Sequence, residues 1–393
     1  MAAVKPPCGA GSTHYCEGLA RLELGAGFFR PGSRPSRDLT VLLAQLQVGR
    51  GRLQLLDLMA GCGIRSLRCG LEAGAAQIWA NDADPDRLPL LQRNLAPLDG
   101  PTRLRCTALT AQQLLAGCLQ RRERFDLVDL DAFGCPSALL PLALEAVALD
   151  GVLVLTSSDG RSPTGHDRLA ALRRLGAAAR AHPASWELAL RLQLGVVARS
   201  AWALGRGIEP LLSFSDGRTF RTAVRLHRRP APGQERQLGL LGHCHRCGDQ
   251  QVQSLLDLGR WPACLCAAAA DGAAPPLAIS GPLWIGALQD AATVAQLLAQ
   301  ARRNPVTAAA ATLRILERLA TDPAELPRCW PTAAIARQLG GGPPPLAALV
   351  NELRRRGHQA AASGLMEGML RSDAPWSVIL AQSRRLKAAG AAR

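Results

Sequence analysis

The segment that decides the fold reads Leu55-Leu-Asp-Leu-Met-Ala-Gly-Cys-Gly-Ile-Arg65. Its apolar first half predicts a buried strand, and a helical pattern over residues 65–72 follows directly. Between the two, Gly61 and Gly63 let the backbone turn tightly and approach a ligand without a Cβ in the way. A purely structural turn has the same pattern. We interpret the segment as half of a cofactor site and include Asp57, near the end of the strand, among its residues.

The end of the second predicted strand indicates which kind of cofactor this is. It closes on Asn81-Asp82, twenty-five residues after Asp57, where an acidic side chain can hydrogen-bond the two hydroxyls of a ribose. NAD requires a third glycine at the helix start for its pyrophosphate, and this chain has Ser66 there. S-adenosylmethionine has no phosphate, and Arg65 can pair with its methionine carboxylate. We therefore predict S-adenosylmethionine; the alternative is a structural turn beside a solvated Asp82.

Strand-like apolar runs alternate with helical patterns from about residue 38 to residue 228. Such alternation predicts an α/β fold with a doubly wound, mostly parallel sheet and helices on both faces. The predicted strands are residues 53–58, 77–81, 103–106, 125–130, 152–156 and 221–226.

The alternation breaks at Arg228-Arg-Pro-Ala-Pro-Gly233, which has the composition of a linker. We therefore predict an N-terminal extension that contributes to the active site, a catalytic domain and a C-terminal domain, at residues 1–38, 39–230 and 231–393. Within the last, two short predicted helices suggest a winged-helix-like module; they cover residues 332–339 and 346–356.

The fourth predicted strand carries a second kind of chemistry. It reads Phe125-Asp-Leu-Val-Asp-Leu-Asp-Ala-Phe-Gly-Cys-Pro136, and its three aspartates cannot all face a core, because burying unpaired carboxylates is costly. Asp131 falls at the carboxyl end, where doubly wound sheets bind ligands. A carboxylate there can accept a hydrogen bond from the amine of a base and take its proton on methylation, while Phe133 stacks on the base. The alternative is a strand end whose carboxylates cap the next helix.

A cysteine cluster follows the linker. Cys244 and Cys247 form a C-x2-C pair that can chelate one half of a zinc ion. The other half is expected to be a second such pair, but the chain offers Cys264 and Cys266, which are one residue closer. We predict a zinc site formed by the four thiols; free structural thiols are the alternative.

The charge balance favours a polyanionic partner. Lys and Arg total 46 against 31 Asp and Glu, a formal net charge of +15, and cations that neutralise phosphates release condensed counterions. Arg354, Arg355 and Arg356, after the second short helix, are expected to contribute to this binding. No apolar run is long enough to span a membrane, no signal peptide is evident, and nothing indicates an obligate protein partner. We therefore expect a cytoplasmic protein with a polyanionic partner.

These motifs together resemble the tRNA (guanine(26)-N2)-dimethyltransferase family. The matching segments are, in chain order, Gly27-Phe-Phe-Arg-Pro31, Arg37-Asp-Leu-Thr40, Gly61-Cys-Gly-Ile-Arg65, Asn81-Asp82, Asp129-Leu-Asp-Ala-Phe-Gly134, Thr156-Ser-Ser-Asp159, Gly205-Arg-Gly-Ile-Glu-Pro-Leu-Leu-Ser213 and Gly281-Pro-Leu-Trp-Ile-Gly286. They cover most of the chain.

The resemblance implies a Rossmann-like, class I methyltransferase domain followed by an α+β tRNA-binding domain. It implies that Arg37, Arg65 and Asp82 hold S-adenosylmethionine, that Asp131 is the catalytic carboxylate, and that Phe28 and Phe133 flank the guanine. The family's usual Asp-Ala near the adenine corresponds here to Thr110 and Ala111.

Three departures from the family pattern bear on activity. Ala132 replaces a usual proline, Thr110 replaces a usual aspartate, and Arg30 replaces a usual asparagine. Two other functions therefore stay open: a methyltransferase of another nucleic-acid base amine, and a non-catalytic tRNA-binding protein that retains the fold.

Overall fold

The computed structural model describes residues 14–100, 102–264, 266, 276–322 and 325–391. Residues 1–13 of the predicted N-terminal extension lie outside the described residues. The strands before residue 230 are β1 (Tyr15–Glu17), β2 (Ala20–Leu22), β3 (Gln54–Asp57), β4 (Gln77–Asn81), β5 (Arg103–Thr107), β6 (Phe125–Ala132), β7 (Val147–Ser157), β8 (Gly207–Ser215) and β9 (Phe220–His227).

The centre of the molecule is a seven-stranded sheet in the order β5-β4-β3-β6-β7-β9-β8. Its first five strands are parallel, whereas β9 runs antiparallel to β7 and β8 antiparallel to β9. The central strands bury apolar residues at successive positions, such as Leu55 and Leu56 on β3 and Leu127 and Val128 on β6, and so on both faces, as parallel strands between two helical layers must. The predicted α/β fold and all six predicted strands are confirmed.

The helices of this region form two packs. They are α1 (Arg34–Val48), α2 (Ile64–Ala73), α3 (Leu88–Leu95), α4 (Ala111–Arg121), α5 (Leu140–Ala146), α6 (Arg168–Leu175) and α7 (Ser185–Ala203). Helix α2 contacts both α1 and α3, and α5 contacts both α4 and α7. Two separate packs are what a sheet covered on both faces requires.

Strand β8 has no counterpart among the predicted strands. It contains the charged residue Glu209 followed by Pro210, a pair that is untypical of a buried strand. Its pairing with β9 shifts register between Pro210 and Leu212. A proline cannot donate to a strand ladder and is tolerated at a sheet edge or a bulge. β8 lies at the edge of the sheet, so its local pattern does not look like that of a buried strand.

Beyond residue 230 the chain first builds a small antiparallel sheet in the order β11-β10-β12. Its strands are β10 (Leu238–His243), β11 (Gln250–Ser254) and β12 (Ala278–Trp284). Two helices follow, α8 (Ala291–Arg303) and α9 (Ala310–Thr321), and both contact α1. Their buried Leu297 and Leu316 belong to the same hydrophobic core as the large sheet.

The last segment has a hydrophobic core of its own, in which Trp330 and Trp376 stack with ring centroids 5.4 Å apart. Its elements are β13 (Cys329–Pro331), α10 (Thr332–Leu339), α11 (Leu346–Arg355), β14 (Ala360–Ala362), β15 (Met369–Ser372) and α12 (Trp376–Ala391). The two predicted short helices therefore exist as α10 and α11. A hairpin of β14 and β15 follows them, and β13 completes a three-stranded sheet. Among the helices that the structure describes, none is long and apolar enough to cross a membrane.

A buried ion cluster joins this last segment to α7. Arg371 on β15 donates to both carboxylate oxygens of Glu187 on α7, at 2.6 and 2.7 Å, and to Asp322 Oδ1 at 2.9 Å. Arg191 binds the same Glu187. Burial alone would raise the pKa of Glu187, but Arg371 and Arg191 outweigh it and hold that pKa at about 2.

We predict that Arg371→Met lowers the free energy of unfolding by about 3–5 kcal/mol, because it removes a cation that two buried carboxylates share. Denaturant titration followed by circular dichroism measures the loss. Arg355→Met is the control, since Arg355 is exposed on α11 and its removal should change stability by less than about 0.5 kcal/mol. Equal effects of the two substitutions would contradict a supporting role for the ion cluster.

Candidate active site

The turn after β3 is built around two glycines in the left-handed region, Gly61 with φ +57° and Gly63 with φ +83°. A Cβ on Gly63 would lie 2.8 Å from Leu91 Cδ1, so α3 can pack on this turn only if a glycine is there. A Cβ on Gly61 would meet no other residue within 4 Å. Gly61 therefore borders open space at the carboxyl edge of the sheet, where a ligand can approach the backbone.

Asp82 follows β4 and lies against this turn. Its Oδ2 accepts a hydrogen bond from the Gly61 amide at 2.9 Å, and its Oδ1 accepts one from the Asp84 amide at 3.0 Å. The carboxylate is half-buried and each oxygen retains a free lone pair. The sequence placed Gly61 and Asp82 in one site, and the fold brings them into direct contact.

Asn81, the buried residue before Asp82, ties three strand ends together. Its side-chain amide donates to the carbonyl oxygens of Leu58 and Leu109 at 3.1 and 2.8 Å, and its Oδ1 accepts from Thr107 Oγ1 at 2.8 Å. Thr110 and Ala111 follow at the start of α4, where Thr110 forms a capping box with Gln113. These two residues therefore lie beyond β5, on the far side of Asp82 from Gly61.

Two aspartates are buried side by side beneath the edge. Asp57 on β3 pairs in register with Asp129 on β6, and both side chains are fully buried. Burial, together with the charge of Asp129, raises the pKa of Asp57 to about 7. Asp57 Oδ2 accepts from Ser66 Oγ at 2.8 Å, whereas Asp57 Oδ1 has no hydrogen-bond partner among the described residues. An orphaned buried acceptor of this kind fits a cationic amine.

Arg65 and Arg221 neutralise the third aspartate. Arg65 forms a direct ion pair with Asp131 Oδ2 and lies 3.6 Å from Asp129 Oδ1. Arg221 Nη2 lies 3.3 Å from the same Asp131 Oδ2, and Arg221 Nη1 lies 3.8 Å from Asp129 Oδ2. Burial alone would raise the pKa of Asp131, but Arg65 and Arg221 outweigh it and lower that pKa to about 2. Both cations contact Oδ2, so neither of them occupies Asp131 Oδ1, and the side chain is 29% exposed.

Arg221 is a site residue that the sequence reasoning missed. It lies on β9, opposite Thr156 in the antiparallel pairing with β7, and its side chain is buried. Its Nη1 also contacts Thr40 Oγ1 at 3.2 Å, and Thr40 Oγ1 donates to Asp129 Oδ2 at 3.0 Å. The only signal in the sequence is an arginine inside an apolar strand, which demands a buried anion but does not say which.

Phe28 and Phe133 stand at the mouth of the site. Phe28 is 71% exposed and Phe133 is 81% exposed, and their ring centroids lie 5.5 Å apart with the planes at 77°. A base held between two parallel rings needs centroids about 7 Å apart, twice a carbon–carbon contact distance of about 3.5 Å. The two rings therefore lie too close together to hold a base between them, and they contact each other edge to face.

Arg37 is engaged below this mouth. Its guanidinium donates to Glu17 Oε1 and Oε2 at 2.8 and 2.6 Å and to the carbonyl oxygens of Arg30 and Pro31 at 3.1 and 3.2 Å. Both Arg37 and Glu17 are buried. Arg37 therefore fixes the backbone that follows Phe28, and Glu17 is a second residue that the sequence reasoning missed.

The four predicted zinc ligands converge elsewhere in the chain. The Sγ atoms of Cys244, Cys247, Cys264 and Cys266 all lie within 4.8 Å of one another, and all four residues are buried. Cys244 Sγ lies 3.7 Å from Cys264 Sγ and 3.8 Å from Cys266 Sγ. Tetrahedral zinc with bonds of about 2.3 Å requires sulfurs about 3.8 Å apart. The short C-x-C spacing therefore does not prevent four thiols from meeting the geometry of the metal.

Comparisons with known proteins point to a single family. The family described as N2,N2-dimethylguanosine tRNA methyltransferase matches residues 23–384. A tRNA (guanine(26)-N(2))-dimethyltransferase of Thermococcus kodakarensis is 29% identical over 385 residues, which cover 92% of this chain and 96% of the relative. The enzyme of the same name from Methanosphaerula palustris is 30% identical over 361 residues and 90% of each chain.

A solved structure extends the likeness to three dimensions. Trm1 from Pyrococcus horikoshii, in complex with S-adenosyl-L-methionine, superposes with a TM-score of 0.79 at 25% identity, over 94% of this chain and 98% of that one. The predicted class I methyltransferase fold and the predicted family resemblance are thus confirmed. The chain belongs to the N2,N2-dimethylguanosine tRNA methyltransferase family.

Proposed function

We propose that this chain transfers methyl groups from S-adenosylmethionine to the exocyclic N2 amine of guanine 26 in tRNA. The observation that carries the proposal is the carboxylate of Asp131, which two arginines hold by one oxygen beside the exposed rings of Phe28 and Phe133. The relatives named above have the same activity in their names. With tRNA as the substrate, we also propose a cytoplasmic location.

The residues at the edge of β3, β4 and β5 have the chemistry that S-adenosylmethionine needs. In this assignment, Asp82 binds the ribose hydroxyls and Gly61 lets the ligand approach the backbone closely. Thr110 and Ala111 lie around the adenine. The orphaned Asp57 Oδ1 is suited to the amino group of the methionine part. Arg65 and Arg37 are the cations that we assign to the methionine carboxylate. Gly63 allows the tight turn that leads from β3 into α2. The bound cofactor supplies an electrophilic methyl group on a sulfonium.

The role of Asp131 follows from the weak nucleophilicity of the guanine amine, whose lone pair is delocalised into the ring. A carboxylate that accepts a hydrogen bond from N2 raises the electron density on that nitrogen. When N2 takes the methyl group that the bound cofactor would supply, Asp131 Oδ1 would take one N2 proton, so that the amine gains a methyl group and loses a proton. The second methylation uses the remaining N2 proton in the same way. The low pKa of Asp131 keeps the carboxylate ionised and ready for each step.

Entry of the base requires Phe28 and Phe133 to separate from their edge-to-face contact at 5.5 Å. Phe28 is the ring that we expect to move, because it belongs to a segment without a helix or strand and follows Gly27. Phe133 is less free, since Gly134 beside it is hydrogen-bonded to Ser158 at 2.7 Å. Rotation of Phe28 into a parallel plane would form a sandwich around the guanine.

We predict that Asp131→Asn slows methyl transfer by about 10²–10⁴-fold, because asparagine retains the shape but cannot take the proton. Single-turnover incubation with unmodified tRNA and labelled cofactor, followed by nucleoside mass spectrometry, measures the rate and identifies the base. Binding of the cofactor, measured by calorimetry, should stay within about threefold of wild type.

Asp82→Ala is the matched control, because it should weaken cofactor binding by roughly 1.5–3 kcal/mol through loss of a charge-assisted hydrogen bond. An Asp131→Asn protein as fast as wild type would show that another carboxylate takes the proton. Methylated adenosine or cytidine in place of methylated guanosine would favour the other base amines, and cofactor binding without any turnover would favour a tRNA-binding protein.

We predict that Arg221→Met slows the single-turnover rate by at least about tenfold, the loss expected for one hydrogen bond to a charged group, without changing cofactor affinity. In the Asp131→Asn background the same substitution should cost little more, because the charge that Arg221 orients is already absent. Arg221→Lys should recover part of the rate.

The control is Arg225→Met on the same strand, where Arg225 pairs with Glu209 away from the aspartates. If Arg221→Met and Asp131→Asn slow the reaction by independent, multiplicative factors, Arg221 does not act through Asp131. Circular dichroism of each variant verifies that the fold is retained.

We propose that the four clustered cysteines hold one zinc ion, and we predict about one equivalent of zinc in protein prepared under reducing conditions. Cys244→Ser should release it, because three thiolates bind the metal far less tightly than four. Metal analysis by mass spectrometry measures the content. Cys106→Ser, a half-buried cysteine outside the cluster, should retain the zinc; metal-free wild-type protein would overturn the proposal.

A further inference from the structure

A basic surface lies beside the site on helix α6 and the loop before it. We call it the α6 surface and define it by Arg161, Arg168, Leu169, Leu172 and Arg173. All five side chains are exposed, and the two leucines are 68% and 61% exposed. The opposite side of the helix buries only small or apolar residues. An exposed helix face with cations and leucines together is unusual for a surface that meets only water.

The positive charge of the α6 surface is not compensated. Among the described residues, no carboxylate lies within ion-pair distance of the guanidinium groups of Arg161, Arg168 or Arg173. Their neighbour Arg174, in contrast, pairs with Asp159 at 2.8 Å. A partner can therefore bind these three cations without breaking an existing ion pair.

Hydrogen bonds fix the α6 surface to the turn that carries Phe133. Asp159 Oδ1 accepts from the amides of Arg161 and Ser162 at 3.1 and 3.0 Å, and its Oδ2 binds Arg174 on α6. One residue earlier, the Ser158 amide donates to the Gly134 carbonyl at 3.0 Å, and the Gly134 amide donates back to Ser158 Oγ. The three cations thus have a defined position next to the base site.

The arginines expected from the sequence to bind tRNA are less available. Arg355 and Arg356 both pair with Glu352, and Arg354 Nε donates to the Ala360 carbonyl at 2.7 Å. Part of the positive charge after α11 is therefore already neutralised within the helix. The α6 surface has the freer charge and is close to the site of reaction.

We propose that the α6 surface binds the sugar–phosphate backbone of tRNA next to the target guanine, an inference that rests on the proposed function. The three arginines contact phosphates, and Leu169 and Leu172 pack on the riboses between them. An RNA partner accounts for the free cations through charge complementarity. RNA bound to the α6 surface would also place the guanine near Phe133, because the loop before α6 is hydrogen-bonded to the turn that carries Phe133.

The test compares two triple variants of the full-length protein. Arg161→Gln, Arg168→Gln and Arg173→Gln remove the α6 cations. Arg50→Gln, Arg52→Gln and Arg122→Gln form the matched control, since these three exposed arginines precede β3 and β6 and so lie at the opposite edge of the sheet. Dissociation constants for an unmodified tRNA transcript are measured by fluorescence anisotropy across a range of salt concentrations.

Each phosphate contact contributes about 0.7–0.9 to the slope of log affinity against log salt, so the α6 triple variant should lower the slope by about 2–3. The control triple should have the wild-type slope, and cofactor affinity should be unchanged in both. Arg173→Gln alone should lower the slope by just under one unit, which keeps the test available if the triple variant is unstable.

An α6 triple variant with the wild-type slope, or with a slope no lower than that of the control triple, would overturn the proposal. Failure of the proposed function looks different, because wild-type protein would then form no methylated guanosine in the transcript, whatever its salt slope. Wild-type activity combined with an unchanged slope therefore rejects only the role of the α6 surface.

Discussion

Three carboxylates meet under one edge of the sheet, and their need for cations constrains much of the fold. Asp57 and Asp129 are fully buried and Asp131 is largely so, and an unpaired buried carboxylate costs several kcal/mol. Arg65 on α2 and Arg221 on β9 supply the compensation. The first requires α2 to begin immediately after the glycine turn. The second requires an antiparallel strand beside β7, since β9 places Arg221 opposite Thr156 near the end of β7.

Local sequence patterns were sufficient for the parts of the fold that depend on neighbours in the chain. The parallel strands have mainly apolar runs at their centres, and Gly61, Asp82, Asp131 and Phe133 each lie at or just beyond a strand end, where the pattern changes abruptly. Arg221 gave no such signal, because its partners are on strands and helices far away in sequence. The same is true of Glu17, which is paired with Arg37, and of the edge strand β8, whose polar residues and register shift hide it.

The division of the chain at residue 230 stays a prediction, and the contacts give it a physical context. Asp38 on α1 accepts hydrogen bonds from Thr312 Oγ1 at 2.6 Å and the Ala309 amide at 2.9 Å, and Arg68 on α2 donates to the Thr307 carbonyl at 2.7 Å. Helices α8 and α9 are thus bonded to the helices that carry the cofactor turn. A break in composition marks where the alternation of strands and helices stops. It does not reveal that the chain returns to the first helices afterwards.

The departures from the family pattern are compensated locally. Thr110 caps α4 through a capping box with Gln113, which performs the structural task that an aspartate would also perform. Ala132 lacks the fixed φ of proline, but the turn after it is held by hydrogen bonds from Ser157 Oγ and the Ser158 amide to the Gly134 carbonyl, both 3.0 Å long. Arg30 contributes its backbone carbonyl to Arg37, a contact that any residue could make. Each replacement alters a support of the site, and none removes the charge on Asp131 or the face of Phe133, on which the proposed chemistry depends.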